Sequence, residues 1–422
     1  MRTTGQELKE NWPLIAVAFL LVFLAFGVPT YSLPFVYGAA MQELGWTNAQ
    51  VNLLSTAKFL IGAGAALGMG MLIDKVGGRW TVLVGTAAGG LAMALFLLAT
   101  NLPVYYVAGA VLGFSAASIL AAVKVLVARL FTVSQGLAIG TVLTATSFGG
   151  VVMPQIWPPL LEVMNWRHIM ALLSIGPLLI AVPLWLIFML RNERIRAVVS
   201  APTPRTDNAN LWTHFKKLSG ERNFWLIAIG VFLVSAVDQA LMQNYVSFLR
   251  FDKGMDLGTT ISWAGSLLAV VGVLAKIGSG WFYDWFSIRG ITFFWLLLAI
   301  SIFLGLPVTG VTTLLIFITV RGVAHGGLIV DAPVLASHYF GPERIGLTMG
   351  IIELCVNLGF SVGPPVFGWF ADVHGNFTVA LIVYGCVALV GTLLLLPVQP
   401  RFWTPPARRG RVATSAQPAI AG

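Results

Sequence analysis

The chain has 422 residues, 58% of them hydrophobic and 10% charged, with a formal net charge of +9. A soluble domain runs to about 45–50% apolar and 25% charged residues, so an ordinary globular enzyme or binding domain is excluded and an integral membrane protein is expected. No polar stretch is long enough to enclose a core of its own. The basic residues sit in short loops and tails, which is the pattern of a membrane topology signal and not of a nucleic-acid footprint.

The first apolar run, from Trp12, is too long for a cleaved signal peptide and leads into further spans. At about 20 apolar residues per crossing, twelve transmembrane helices are expected. They cover 12–40, 50–73, 80–100, 103–129, 136–161 and 167–190, then 223–248, 259–283, 289–307, 311–338, 345–370 and 377–397. The longest polar segment, Arg191 to Arg222, lies between the sixth and seventh spans. The expected organisation is a six-helix half over 1–190, a linker over 191–222, a second six-helix half over 223–400 and a disordered tail over 401–422. Cys355 and Cys386 both fall in apolar spans, where no structural disulfide is expected.

Arg2, Lys9, Lys75, Arg79, Arg129, the linker, Arg289, Arg344 and the tail lie on one side of the predicted topology. Arg167, Arg250 and Lys253 lie on the other. The positive-inside rule makes the first side cytoplasmic and places both termini there, in a multi-pass protein of a cell membrane, expected to be a bacterial inner membrane.

One ungapped shift of 210 residues relates the halves. It aligns Gly70 with Gly280, Asp74 with Asp284, Arg79 with Arg289, Gly136 with Gly346, Gly140 with Gly350, Gly149 with Gly359, Pro154 with Pro364, and Glu162 with Asp372. Glycine and proline recur by chance in membrane helices, but this many matches at one offset indicate duplication. Parallel six-span repeats are a transporter architecture, with the substrate held between the halves near mid-membrane.

Lys58, Lys124, Asp238, Lys276, Arg321, Asp331 and Glu353 interrupt these spans. A charge at the bilayer centre costs about 2.5–3.5 kcal/mol on insertion scales. At 1.5 Å per residue, Lys58, Asp238 and Arg321 fall near mid-membrane, with His325 one turn from Arg321. Lys276, Asp331 and Glu353 fall nearer the linker side. Lys124 is read as snorkelling to the headgroups, and Asp331 and Glu353 are equally open to structural roles. Four cations against three anions favour an anionic cargo.

Gly70-Met-Leu-Ile-Asp74-Lys75-Val-Gly77-Gly78-Arg79 resembles the signature loop of the major facilitator superfamily, with one extra glycine before Arg79. The resemblance implies the major facilitator fold, an all-α membrane protein of two six-helix repeats, with spans 1, 4, 7 and 10 lining a central cavity. Gly70, Asp74, Lys75, Arg79 and Asp284 then become gating candidates, Asp74 as a latch. The motifs QELGW at Gln42, QGLAIG at Gln135, NWRHIM at Asn165 and LAKIGSGWFYD at Leu274 resemble the monocarboxylate transporter-like and oxalate:formate exchanger branch. There a basic residue at the position of Lys276 binds the substrate carboxylate. Animal members carry an aspartate where this chain has Gly272, and a first-span lysine that this chain lacks.

No P-loop, Gly-x-Ser-x-Gly or metal-ligand spacing is present, so neither enzyme activity nor a cofactor or metal is expected. The expectation is a monomeric secondary transporter of a small organic anion, a monocarboxylate moving with a proton. Arg321, Lys276 and Lys58 would bind substrate, and Asp238 and Glu353 would carry the proton. A proton-independent exchanger of the oxalate:formate type stays open, followed by a drug exporter and by a membrane sensor that kept the fold.

Overall fold

The computed structural model describes residues 4–131, 135–193, 195, 215–216, 218–341 and 345–403. Most of the linker, the tail from Thr404, Arg2 and Arg344 lie outside the described residues. Every regular element described is helical: α1 (Thr4–Val22), α2 (Val28–Leu44), α3 (Asn48–Val76), α4 (Gly78–Leu95), α5 (Leu102–Leu130), α6 (Gln135–Val163), α7 (Trp166–Ile175), α8 (Val182–Arg191), α9 (Arg222–Ser247), α10 (Ser262–Leu304), α11 (Val311–Leu335), α12 (Ile345–His374) and α13 (Thr378–Leu395). Among the described residues, ten helices are long and apolar enough to cross a membrane.

Short π-helical turns interrupt several spans. Phe23–Gly27 joins α1 to α2, just before Pro29, and Gly176–Ala181 joins α7 to α8 around Pro177. A proline ring displaces the carbonyl ladder, and a π turn absorbs the extra residue. Asn101 and Asn165 cap α5 and α7, accepting from Val104 N (3.1 Å) and Arg167 N (2.9 Å). A sharp elbow lies inside α10 at Ser287, a buried residue with φ 51°. Its hydroxyl is hydrogen-bonded to His338 Nδ1 at 3.0 Å.

The chain forms two compact units. The first comprises Met1–Asn208, Asp238–Val270 and Asn357–Ala380, and the second Ala209–Val237, Val271–Val356 and Leu381–Gly422. The first unit therefore gathers the ends of α9, α10 and α12 that lie away from the linker. Its apolar core includes Leu14, Ala18, Val82, Ile119, Phe131 and Trp185.

Small residues bring helices into backbone contact, the usual membrane solution where no hydrophobic force separates helix from lipid. A Cβ on Gly113 of α5 would lie 1.9 Å from the carbonyl oxygen of Lys58 on α3. A Cβ on Gly149 of α6 would lie 2.4 Å from the Gly27 carbonyl oxygen. In the second unit, a Cβ on Gly326 of α11 would lie 2.4 Å from the Gly272 carbonyl oxygen and 3.0 Å from Lys276 N on α10.

Gly113→Ala is expected to destabilise the protein by about 1–3 kcal/mol through overpacking at Lys58. Gly64→Ala has nothing within 4 Å of the new methyl group and is expected to be neutral or slightly stabilising through helix propensity. Thermal melts of the purified variants in detergent test the contrast.

Candidate functional site

Lys58 is 3% exposed. Its Nζ donates to Thr30 Oγ1 of α2 at 3.0 Å. The ammonium lies 5.8 Å from the Phe26 ring centre and 5.3 Å from that of Phe59. Thr30 is a neutral acceptor, and the two rings offer only quadrupole attraction. No carboxylate pairs with Lys58 among the described residues. An ammonium carries three donors, so this one has capacity for an anion.

Asp238 of α9 is 2% exposed. It lies within electrostatic range of the Tyr31 hydroxyl, which is hydrogen-bonded to Ser147. Thr30 and Tyr31 are consecutive, so one turn of α2 holds the cation through one residue and meets the acid through the next. Aromatic rings line this region: Phe35 stacks on Trp157 with ring centres 5.9 Å apart, and Tyr245 meets Phe35 edge-on. Trp157 Nε1 donates to Ser32 Oγ at 2.8 Å. The sequence singled out Lys58 and Asp238; it gave no sign of Thr30, Phe26 or Phe59, which reach the site only through helix packing.

In the second unit, Arg321 of α11 is 1% exposed, and Lys276 of α10 is half-buried. The two helices touch where these residues lie: a Cβ on Gly272 would stand 3.6 Å from the Gly322 carbonyl oxygen and 3.7 Å from His325 Cδ2. Asp238 and Arg321, a pair by sequence position, belong to different compact units. Asp331 is buried and accepts from Trp295 Nε1 at 2.9 Å, a structural engagement. Glu353 and Lys124 are exposed.

Of the gating candidates, Lys75, Asp284 and half-buried Arg79 are described, and Arg79 stacks on Trp80 at 5.0 Å. The side chain of Asp74 and the environment of Gly70 lie outside the described residues.

A set of polar contacts that the sequence did not reveal lies at the ends of the helices away from the linker, inside the first unit. Asp372 of α12 seals the start of α3. One carboxylate oxygen accepts from Asn48 N and Nδ2, both at 2.8 Å, and the other from Ala49 N at 2.8 Å. Thr47 and Gln50 close a capping box on the same turn. The first three amides of α3, which have no intrahelical acceptor, are thereby all bonded, and the carboxylate sits at the positive end of the helix dipole. Deeper along α3, Asn52 and Asn244 exchange amide hydrogen bonds at 2.8 and 3.1 Å, and Thr56 donates to the Ser361 carbonyl. Only the aligned pair of Glu162 and Asp372 marked this acid in the sequence.

A sequence model described as the Major Facilitator Superfamily matches residues 15–313 and again 259–420. Monocarboxylate transporter 13 of Rattus norvegicus is 25% identical over 96% of this chain and 92% of its own length. The 4-hydroxybenzoate transporter PcaK of Pseudomonas putida is 23% identical over 92% of each. Among solved structures, the nucleoside transporter NupG aligns with a TM-score of 0.72 at 13% identity, covering 91% of this chain and 99% of its own. A bacterial homologue of the lysosomal transporter Spinster, in an inward-facing occupied state, aligns at 0.69 with 15% identity over 92% of this chain and 97% of its own.

Asp372→Asn removes charge-assisted hydrogen bonds of about 1.5–3 kcal/mol. Amide exchange in the first turn of α3 is expected to accelerate roughly 10- to 150-fold, with the helix centre unaffected. Hydrogen–deuterium exchange of the two proteins measures it.

Proposed function

The chain belongs to the Major Facilitator Superfamily, a family of membrane transporters and not of enzymes, and on that premise we propose that it is a secondary transporter of a small organic anion, a monocarboxylate, coupled to a proton and working by alternating access. The observation that carries this reading is Lys58: a buried cation, held by a hydroxyl and two aromatic faces, with no carboxylate partner among the described residues. A carboxylate with an apolar or aromatic body fits that environment, taking charge-assisted hydrogen bonds at one end and ring contacts at the other. Relatives that carry monocarboxylates and 4-hydroxybenzoate in their names support the same substrate class.

Arg321 and Lys276 are the substrate ligands assigned to the second unit. Asp238 is the proton carrier, with Glu353 in reserve. In this reading a substrate anion at Lys58 and a proton at Asp238, both residues buried in the first unit, balance each other's charge. Substrate and proton then bind with positive linkage. The twelve-span topology is supported by α3, which lies outside the ten apolar helices, and by the elbow that breaks Leu257–Leu304 at Ser287. The charge bias of the loops supports cytoplasmic termini, and the membrane is a bacterial inner membrane in this reading. Gly70, Asp74, Lys75, Arg79 and Asp284 form the gate on that side, and the protein acts as a monomer.

A second reading, proton-independent exchange of the oxalate:formate type, is favoured by one observation: Gly272 stands where the animal relatives' aspartate is expected, and His325 is packed beside it.

Uptake of a panel of labelled carboxylates into proteoliposomes, with and without an imposed pH gradient, tests the proposal. Lys58→Gln is expected to weaken apparent substrate affinity roughly 10- to 150-fold in a protein that still folds. Arg321→Gln and Lys276→Gln are expected to do the same, and near wild-type uptake in all three would remove them from the site. Asp238→Asn is expected to lose gradient-driven accumulation and to retain exchange of internal for external substrate. A wild-type protein that exchanges but never accumulates would favour the second reading.

A further inference from the structure

At the linker end of the second unit, a cavity of about 700 Å³ is lined by Trp285, Phe286, Arg289, Thr292, Leu396, Val398, Gln399, Pro400 and Trp403. We propose that this cavity is a binding site for an anionic phospholipid, with the phosphate on Arg289 and the acyl chains on the membrane face of α10 and α13.

The cavity is built before any ligand arrives. The buried elbow at Ser287 turns α10 and is tied to His338. The chain beyond α13 is pinned over the elbow: Arg401 N and Phe402 N both donate to the His338 carbonyl oxygen at 3.0 Å. Trp403 Nε1 donates to the Asp284 carbonyl oxygen at 3.1 Å. Arg401 pairs with Glu221 at 2.7 Å and lies over the Tyr339 ring at 4.5 Å. The aromatic wall formed by Trp403 is therefore fixed in place.

Arg289 is exposed at this wall and makes no ion pair, hydrogen bond or ring contact among the described residues. Its repeat counterpart differs: Arg79 is stacked on Trp80 at 5.0 Å. A guanidinium presents a planar fork that matches a phosphodiester bidentately. The turn between two membrane helices sets it at headgroup depth, beside tryptophans, which favour that depth.

What continues from Arg289 is apolar. Phe293, Leu296 and Ile300 follow at helical spacing and are 48%, 41% and 44% exposed. Leu393 of α13 and Leu396 just beyond its end are each 60% exposed. One cation at the interface with an apolar track running into the bilayer matches a lipid and not a soluble anion. A basic residue near a membrane surface strengthens attraction to anionic lipid by about 1 kcal/mol, or roughly fivefold.

The test is lipid retention by the full-length protein, read by native mass spectrometry after delipidation and re-addition of phosphatidylglycerol, phosphatidylcholine or free glycerol phosphate. Wild type is expected to retain phosphatidylglycerol about 5- to 10-fold better than phosphatidylcholine, and glycerol phosphate not at all. Arg289→Gln is expected to reduce phosphatidylglycerol to the phosphatidylcholine level, with Arg289→Lys intermediate. Arg79→Gln is expected to leave retention unchanged. Thermal melts without added lipid confirm that each variant is folded. Equal losses in the Arg79 and Arg289 variants would reduce the effect to surface charge and overturn the site. Binding of glycerol phosphate as tight as that of the lipid would overturn the lipid assignment, and undiminished retention by Arg289→Gln would overturn both.

Discussion

A buried ammonium is the constraint around which the first unit is arranged. Removing an ion from water costs several kcal/mol even after relaxation, and a single neutral acceptor does not recover that. Lys58 is nonetheless 3% exposed, with Thr30 as its hydrogen-bond acceptor and two phenylalanine rings beside it. Its position is enforced from behind: Gly113 allows α5 to press directly on the Lys58 carbonyl, so α3 cannot turn the side chain elsewhere without losing that contact. The scaffold thus holds a destabilising charge in place, the usual mark of a site adapted to a ligand.

The polar seam beside it has a related logic. A closed apolar seam would be hard to reopen to water. This one is held by hydrogen bonds that water can replace: Asp372 on the α3 amides, the Asn52–Asn244 exchange and the Gln155–Ser266 contact at 2.9 Å. It also buries Gln243 Oε1 and Ser247 Oγ without a hydrogen-bond partner. Such orphan groups cost about 1–3 kcal/mol each and regain partners when hydrated. Bonded and unsatisfied polar groups thus share one seam, which is compatible with the proposed alternating-access cycle.

Much of this was legible in the sequence, for identifiable reasons. Hydropathy and length located the helices, because a bilayer demands internally bonded backbone over a fixed thickness. Depth arguments singled out Lys58, Asp238 and Arg321, all of which are buried. The same arguments placed Glu353 within a span, yet it is exposed, because depth along a helix says nothing about which face a residue occupies. The partners of the charges were invisible. Phe26 and Phe59 are unremarkable in a chain with 27 phenylalanines. Asp372 and Asn48 are 324 positions apart, and only the packing of α12 on α3 joins them.

The repeat shows what duplication supplied and what it did not. The shift of 210 residues keeps the glycines and prolines that set helix contacts and bends. It does not keep the buried charges: Lys58 falls opposite Leu268, Asp238 opposite Val28 and Arg321 opposite Val111. The capping acids diverged as well. Asp372 crosses to α3, whereas the matching helix start in the second half is capped from within its own loop, by Asp256 accepting from Thr259 N at 2.6 Å. With that position already satisfied, Glu162, the counterpart of Asp372, is left exposed. A symmetric scaffold would bind a symmetric ligand. For the proposed cargo, a carboxylate with a distinct head and body, a cation on one side and a proton site on another would be needed, and one-sided charges are what remain when the repeated framework is subtracted.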